Sequence, residues 1–308
     1  LAMAVSAGRL TAREAMEAAI AAVRRESSLG ALAALRPEEG LHAADRVDAL
    51  GFGASMPFRG VPTLAKDLGG PFAGLPVAAG SRAFARTGGA GQNGSEDGDL
   101  ARRLRAAGLC PFGLTTSPEF GLSLASEPAT GPACRNPLAP ELSAGGSSGG
   151  AAAAVAAGVV AIAHATDAGG SIRVPAAACG LVGLKPGRGS VPGGPSYENH
   201  IGGLAVELAV CRSVRDAAAM FAVAAAGPPG GPFPPPAFAL VPAGPLRVGL
   251  VADTGDAHPT DGERCETVEA AARSLESLGH RIVPLPFEAL DAAVRASARV
   301  FAGLIAAN

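Results

Sequence analysis

The sequence predicts an α/β fold in which a mixed, mostly parallel sheet is covered by helices on both faces. Apolar runs that suit buried strands alternate with helical patterns, as where a helix over 100–107 is followed by a strand over 109–114. Glycine-rich turns follow the strand candidates at the centre of the chain. This alternation is typical of sheets that are covered by helices and bind ligands beyond their strand ends.

The composition limits the classes of protein that the chain can belong to. It has 308 residues, of which 48% are hydrophobic and 17% charged, so a disordered chain is excluded. With 25 basic and 27 acidic side chains, it has no basic field that would attract a phosphate backbone, and we expect no direct binding of nucleic acid. The longest run of small apolar residues, 151–163, is shorter than the roughly 20 residues that span a bilayer, so no membrane helix is predicted.

The cysteines indicate a reducing environment. Their number is odd, and no C-x-x-C pair occurs among them, which argues against a disulfide framework and a structural zinc site: Cys110, Cys134, Cys179, Cys211 and Cys265. The first residues lack the apolar core and cleavage site of a secretory signal. A cytoplasmic location is therefore expected.

Residues 1–226 are predicted to form one α/β core. Thr11 and Glu14 make a T-x-x-E capping box, which predicts an opening helix. Spacing and helix-ending residues predict the other elements: helices over 41–50, 100–107, 151–157 and 213–226, and strands over 61–66, 109–114 and 159–163.

A proline-rich and glycine-rich segment over 227–245 is predicted to be an extended linker or a surface crossing. Beyond it, a strand over 246–251, a helix over 261–278 and a strand over 281–285 predict one βαβ unit. A last amphipathic helix over 289–307 has no following element to pack beneath, so we expect the C-terminal part of the fold to be missing.

Ser171 is the first candidate for a nucleophile. It directly follows Gly169 and Gly170, where missing side chains let a substrate carbonyl approach the backbone, and it precedes a short helix whose first N–H groups point outward. Taken alone, the same pattern also fits a serine that merely caps a helix.

A second candidate lies in the glycine-rich run 145–150. This run could be a flexible linker, a phosphate-binding nest or a loop that holds the hydroxyl groups of Ser147 and Ser148. Gly145-x-Ser147-x-Gly149 also matches the nucleophile elbow of α/β-hydrolases, although Pro137 and Pro140 precede it where a strand is required.

Lys66 is the candidate base. The chain contains only two lysines, Lys66 and Lys185, and Lys66 ends an apolar strand beside Asp67. Lysine can lose its proton near neutral pH when it is desolvated, whereas arginine cannot, so we expect a lowered pKa for Lys66 and an Asp67 side chain directed away from the site. His164 is interpreted as a packed strand-end residue.

Four blocks together resemble the amidase signature family: Gly-Val-Pro-Thr-Leu-Ala-Lys66-Asp, Ser-Pro-Glu119-Phe, Gly-Gly-Ser147-Ser-Gly-Gly and Asp167-Ala-Gly-Gly-Ser171-Ile-Arg-Val-Pro. Their order and the 24-residue step from Ser147 to Ser171 agree with that family, and the resemblance runs from the Thr11 helix to the last helix. It is most similar to the stand-alone bacterial amidases. It implies the amidase signature fold, with 246–308 as the start of its C-terminal part.

The resemblance also implies a Ser–cisSer–Lys triad. Ser171 would be the acylated nucleophile, Ser147 a bridging serine after a cis peptide at Gly146, and Lys66 a neutral base. The implied oxyanion hole and supporting residues are the N–H groups of Ala168, Gly169, Gly170 and Ser171, and the side chains or backbone of Gly146, Ser148, Asp167 and Arg173.

The function expected from the resemblance is hydrolysis of a small-molecule amide without a metal or organic cofactor, by a protein compatible with a homodimer. Two alternatives stay open. One is the glutaminase subunit of a tRNA-dependent amidotransferase, and the other is an α/β-hydrolase that uses Ser147 as its nucleophile.

Overall fold

The computed structural model describes residues 1–51, 56–86, 96–194, 200–225, 244–255 and 259–307. The chain divides into two compact units, Leu1–Phe238 and Ala239–Asn308. Their boundary lies in the predicted linker 227–245, of which only residues 244 and 245 are described. The predicted conformation of this linker therefore lies outside the described residues.

The first unit alternates helices and strands along the chain. Its described helices are α1 (Ala2–Ser6), α2 (Ala12–Arg25), α3 (Pro37–Ala49), α4 (Arg82–Arg86), α5 (Asp99–Ala106), α6 (Gly149–Ala156), α7 (Arg173–Ala178) and α8 (Val214–Ala225). Its described strands are β1 (Leu32–Leu35), β2 (Val61–Lys66), β3 (Leu109–Thr115), β4 (Arg135–Asn136), β5 (Ala139–Ser143), β6 (Ile162–Asp167), β7 (Val182–Gly183) and β8 (Val206–Cys211).

The helix starts follow the signals in the sequence. At α2 the predicted capping box is confirmed, because Thr11 Oγ1 accepts the Glu14 N–H and the Glu14 carboxylate accepts the Thr11 N–H. The helix predicted over 41–50 is α3, and it begins earlier than predicted, at Pro37 instead of residue 41. Proline at the first helical position has no N–H to leave unpaired, which explains the earlier start.

The strands form a mixed set of sheets. β2 pairs in parallel with β3, whose other edge pairs antiparallel with β1. A second sheet has the order β6-β8-β7 with antiparallel pairs, and β4 and β5 form an antiparallel pair. The predicted α/β class with a mixed sheet is confirmed. The predicted majority of parallel pairs is not found among these ladders, because β6, β7 and β8 alternate in direction.

Side-chain hydrogen bonds join β2 to β6. Thr63 Oγ1 donates to the carbonyl oxygen of Ile162, and the Lys66 N–H donates to Nδ1 of His164. The two contacts follow the same order along both strands, so the strands run in the same direction here. Every residue of β2, β3, β6 and β8 is buried, as expected for strands covered on both faces. Lys66 and Asp167 therefore end neighbouring strands at one edge.

The strand before Ser171 lies later than predicted. We expected it over 159–163, whereas β6 spans Ile162–Asp167. The reason lies at the end of α6, where Gly158 has a φ of 81° and the Val159 N–H donates to the carbonyl oxygen of Ala154. This helix ending takes up Val159, so the strand begins after it and extends to Asp167.

The second unit contains β9 (Arg247–Leu250), α9 (Gly262–Ser277), β10 (Arg281–Pro284) and α10 (Glu288–Ala307). β9 and β10 pair in parallel, so the predicted βαβ unit is confirmed. Asp261 caps α9 by accepting the Arg264 N–H. Throughout the described part of the chain, none of the helices combines the length and apolar character that a membrane crossing requires.

A close approach of α6 to β3 generates the first testable prediction. A Cβ atom on Gly150 would lie 2.4 Å from both the Ala31 carbonyl oxygen and the Thr116 nitrogen. Because these are backbone atoms, Gly150→Ala should lower the free energy of unfolding by about 2 to 3 kcal/mol. Urea denaturation measures this loss. Gly131→Ala is the control, since nothing lies within 4 Å of its added Cβ, and equal stability of the two variants would contradict the prediction.

Candidate active site

Lys66 lies at the buried end of β2 and is 1% exposed. Its amino nitrogen Nζ lies 2.7 Å from Ser147 Oγ and 2.8 Å from Thr166 Oγ1. An ammonium group has three N–H donors, and these two hydroxyl groups are the acceptors that the described residues provide. Both acceptors are neutral, so neither compensates the positive charge.

Burial lowers the pKa of Lys66 from its ordinary 10.5 to about 7, and the carboxylates of Asp167, Glu207 and Asp67 oppose this shift. The predicted lowering of the pKa is confirmed. Asp67 itself is directed elsewhere, as expected, because its carboxylate accepts the N–H groups of Ala78 and Gly80. A considerable fraction of Lys66 is therefore neutral near pH 7.

Ser147 follows a cis peptide bond between Gly146 and Ser147 and is 2% exposed. A Cβ atom on Gly146 would lie 2.6 Å from the Leu124 carbonyl carbon, so only glycine fits at this position. The buried hydroxyl of Ser126 donates to the Ser147 carbonyl oxygen at 3.2 Å and accepts the Gly149 N–H at 3.0 Å. Ser126 thus holds the loop that presents Ser147 to Lys66.

Ser148 connects the loop of Ser147 with the end of β6. Its hydroxyl donates to the carbonyl oxygen of Thr166 at 3.2 Å, and its N–H donates to the carbonyl oxygen of Ser171 at 3.2 Å. The two serine-bearing turns therefore lie against each other. The predicted supporting role of Ser148 has a structural basis in these two bonds.

Asp167 orders the turn that carries Ser171. Its buried carboxylate accepts the N–H groups of Gly170 and Ile172 and makes two hydrogen bonds with the guanidinium of Arg173, each 2.9 Å. Burial by itself would raise the pKa of Asp167, but the Arg173 side chain and the backbone donors together hold it below its ordinary value. Asp167 is thus an anion at neutral pH that fixes the turn.

Ser171 lies at the surface of this buried network and is 8% exposed. Among the described residues its hydroxyl has no hydrogen-bond partner, and the N–H groups of Ala168, Gly169 and Ser171 likewise donate to no protein acceptor. The Gly170 N–H differs from the expected oxyanion donor, because it donates to Asp167 Oδ1 at 2.7 Å. The close carboxylate occupies this donor.

The structure thus brings Lys66 and Ser147 into direct contact. It joins the backbone of Ser171 to the Ser147 loop through the Ser148 N–H, whereas the Ser171 hydroxyl makes no hydrogen bond to Lys66 or Ser147. Sequence reasoning missed the buried hydroxyls of Thr166 and Ser126. Thr166 comes directly before Asp167, but its contact with Lys66 depends on which strands are neighbours. A hydrophobic pattern does not specify that arrangement.

Comparisons with known proteins identify the family of the chain. The amidase family profile matches residues 14–307. The 6-aminohexanoate-cyclic-dimer hydrolase of Paenarthrobacter ureafaciens is 37% identical over 74% of this chain and 48% of its own length. A putative amidase, AmiC, of Mycobacterium leprae is 38% identical over 92% of this chain and 58% of its own length. The chain belongs to the amidase signature family.

Solved structures resemble the fold as well. A 6-aminohexanoate cyclic dimer hydrolase complexed with substrate superposes with a TM-score of 0.79 at 35% identity, over 92% of this chain and 59% of that one. A bacterial aryl acylamidase of the amidase signature family gives a TM-score of 0.82 at 30% identity, over 92% and 60%. The predicted amidase signature fold is confirmed. The chain spans about half to three-fifths of the length of these relatives.

The bonds of Ser126 generate a second prediction. Ser126→Ala leaves a buried carbonyl of Ser147 and a buried N–H of Gly149 without this partner, which should cost about 1 to 3 kcal/mol of unfolding free energy. Urea denaturation measures the cost. Ser123→Ala is the control, because Ser123 lies on the surface and accepts only the nearby Ala125 N–H. If the Ser126→Ala variant were as stable as the control, Ser126 would not hold the loop of Ser147 as described.

Proposed function

We propose that the chain carries the catalytic centre of an amidase, which hydrolyses a carboxylic amide to a carboxylate and an amine or ammonia through an acyl-enzyme on Ser171. The observation that carries this proposal is the 2.7 Å contact between Nζ of the buried Lys66 and Oγ of Ser147. A lysine with a pKa of about 7 is suited to accept a proton near neutral pH and to return it.

Acylation begins with attack of Ser171 Oγ on the amide carbonyl carbon. In the substrate complex we place the Ser171 hydroxyl within hydrogen-bond distance of Ser147 Oγ, a contact that the unliganded site does not make. Ser147 Oγ then takes the proton of Ser171, while the proton of Ser147 passes to the lone pair of neutral Lys66. The developing oxyanion accepts hydrogen bonds from the N–H groups of Ala168, Gly169 and Ser171, which is the expected hole without Gly170. When the carbon–nitrogen bond breaks, the proton returns through Ser147 to the leaving nitrogen.

Deacylation repeats the same proton path with water as the nucleophile. Water attacks the Ser171 ester, and its proton passes through Ser147 to Lys66. The carbon–oxygen bond to Ser171 then breaks, and the serine recovers its proton along the same path. The products are the carboxylic acid, which ionises in water, and the regenerated enzyme.

The substrate class follows by analogy with the relatives, one of which is named for a cyclic amide dimer and another for aryl acylamides. We therefore propose linear, cyclic or aryl amides as substrates. A panel of such amides with glutamine included, assayed by amine release, would identify the class. Family membership argues against the α/β-hydrolase alternative, in which Ser147 would itself attack the substrate carbonyl.

The third prediction concerns the nucleophile. An activated fluorophosphonate should label Ser171, which is 8% exposed against 2% for Ser147 and whose hydroxyl is not held by Lys66. Peptide mass spectrometry identifies the labelled residue, with Ser171→Ala as the unlabelled control. In Ser147→Ala the labelling rate should fall about 10²- to 10⁴-fold, because the proton path is interrupted. Label on Ser147 would overturn the assignment.

The fourth prediction concerns Lys66. Activity should fall as the pH decreases through about 7, because the base becomes protonated. Lys66→Arg preserves the charge and most of the bulk but does not deprotonate near neutrality, so it should be as inactive as Lys66→Ala. Initial rates on the best amide of the panel measure both variants. Lys185→Arg is the matched control, and substantial activity in Lys66→Arg would exclude the neutral-base mechanism.

A further inference from the structure

Two buried polar side chains near Lys66, those of His164 and Glu207, take no part in the proton path described above. His164 is on β6 and is 1% exposed, while Glu207 is on β8 and is 2% exposed. The main-chain N–H of Lys66 donates to His164 Nδ1 at 3.1 Å. The other ring nitrogen, Nε2, lies 3.0 Å from Glu207 Oε1.

These two contacts define the tautomer of His164. Because Nδ1 accepts the Lys66 N–H, it carries a lone pair and no proton. The proton of the neutral ring is therefore on Nε2, where it is donated to the carboxylate of Glu207. The three groups form a directed chain from the backbone of Lys66 through the imidazole to a carboxylate.

Glu207 also contacts the turn that follows Lys66. Its Oε1 accepts the Gly70 N–H at 2.8 Å, and a Cβ atom on Gly69 would lie 2.4 Å from the same oxygen. In the ladder of β6 and β8, Glu207 stands directly opposite Thr166, whose hydroxyl contacts Lys66 Nζ. Glu207 thus contacts the turn after Lys66 and also lies opposite the threonine that contacts the lysine amine.

We propose that His164 and Glu207 are positioning residues for Lys66: His164 holds the main chain from which the lysine reaches Ser147, and Glu207 holds His164 and places a negative charge beside the amine. The proposal rests on the proposed amidase function insofar as Lys66 acts as the base there. In this role the buried carboxylate of Glu207 acts on Lys66 without contacting the substrate.

The other charged groups near Lys66 have partners of their own. Asp67 is bound by backbone N–H groups, and Asp167 is paired with Arg173. Burial and the positive charge of Lys66 also lower the pKa of His200. Glu207 differs from the two aspartates because its side-chain partner is the neutral His164. Unlike Asp167, it is not paired with an arginine, so its charge acts on Lys66 without that compensation.

A conservative substitution separates the charge of Glu207 from its hydrogen bonds. Both of its bonds are made by Oε1, so the carbonyl oxygen of glutamine in Glu207→Gln can keep them while the negative charge is lost. A carboxylate favours the ammonium form of Lys66, and its loss favours the neutral form. The pH at which labelling becomes half-maximal should therefore move downward by about one unit.

The experiment measures the rate of fluorophosphonate labelling of Ser171 against pH in wild type, Glu207→Gln and the surface control Glu263→Gln. The proposal expects a downward shift in Glu207→Gln alone, with a plateau rate close to wild type. An unshifted profile in Glu207→Gln would overturn the role of its charge while leaving the amidase proposal intact. Failure of wild type to label at Ser171 would overturn both.

Two variants of His164 test the positioning of the main chain. The side-chain oxygen of asparagine in His164→Asn can take the place of Nδ1 and accept the Lys66 N–H, whereas His164→Leu offers no acceptor. At plateau pH we expect a labelling rate about tenfold or more lower in His164→Leu than in His164→Asn, because small displacements of a reacting group are costly. Circular dichroism verifies that each variant is folded. Equal rates in folded variants, or loss of folding in both, would overturn this role.

Discussion

The burial of one amino group, Nζ of Lys66, is the constraint on which the rest of this site depends. Removing water from an ammonium group is unfavourable, and β6 and the loop before α6 provide the neutral hydroxyls of Thr166 and Ser147 in place of a paired carboxylate. The group therefore loses its proton more easily, and it does so in contact with Ser147. Lysine in water keeps its proton near neutral pH. The burial that makes Lys66 lose it is provided by four fully buried strands.

The buried amine can be used only if the serines are held close to it, and this requires backbone segments to approach each other unusually closely. Gly146 and Gly150 make that approach possible, since a side chain at either position would overlap neighbouring backbone atoms. The hydroxyls of Ser126 and Ser148 and the carboxylate of Asp167 then fix the turns. In the proposed mechanism, turns fixed in this way would lower the reorganisation needed during reaction.

Several helices and strands and the candidate base can be predicted from the sequence, because their signals are local or chemically unusual. Capping residues and apolar spacing predict α2, β2 and β3, and the scarcity of lysine makes Lys66 conspicuous. Strand direction and neighbours were less accessible, since hydrophobic alternation is the same for parallel and antiparallel pairs. For that reason the antiparallel β6 and β8, and with them the meeting of His164 with Glu207, emerge only from the fold. The acceptor of the Gly170 N–H is likewise evident only from the folded turn, which brings the Asp167 carboxylate to it.

Direct titration of the Lys66 amine tests, without any substrate, whether this side chain is largely neutral near pH 7. The chain contains only Lys66 and Lys185, so protein labelled with ¹³C at the lysine ε-carbon gives few signals, and Lys185→Arg assigns the one from Lys66. For a buried Lys66, we expect this signal to titrate with a midpoint near 7. A midpoint close to the ordinary lysine value of 10.5 would contradict it.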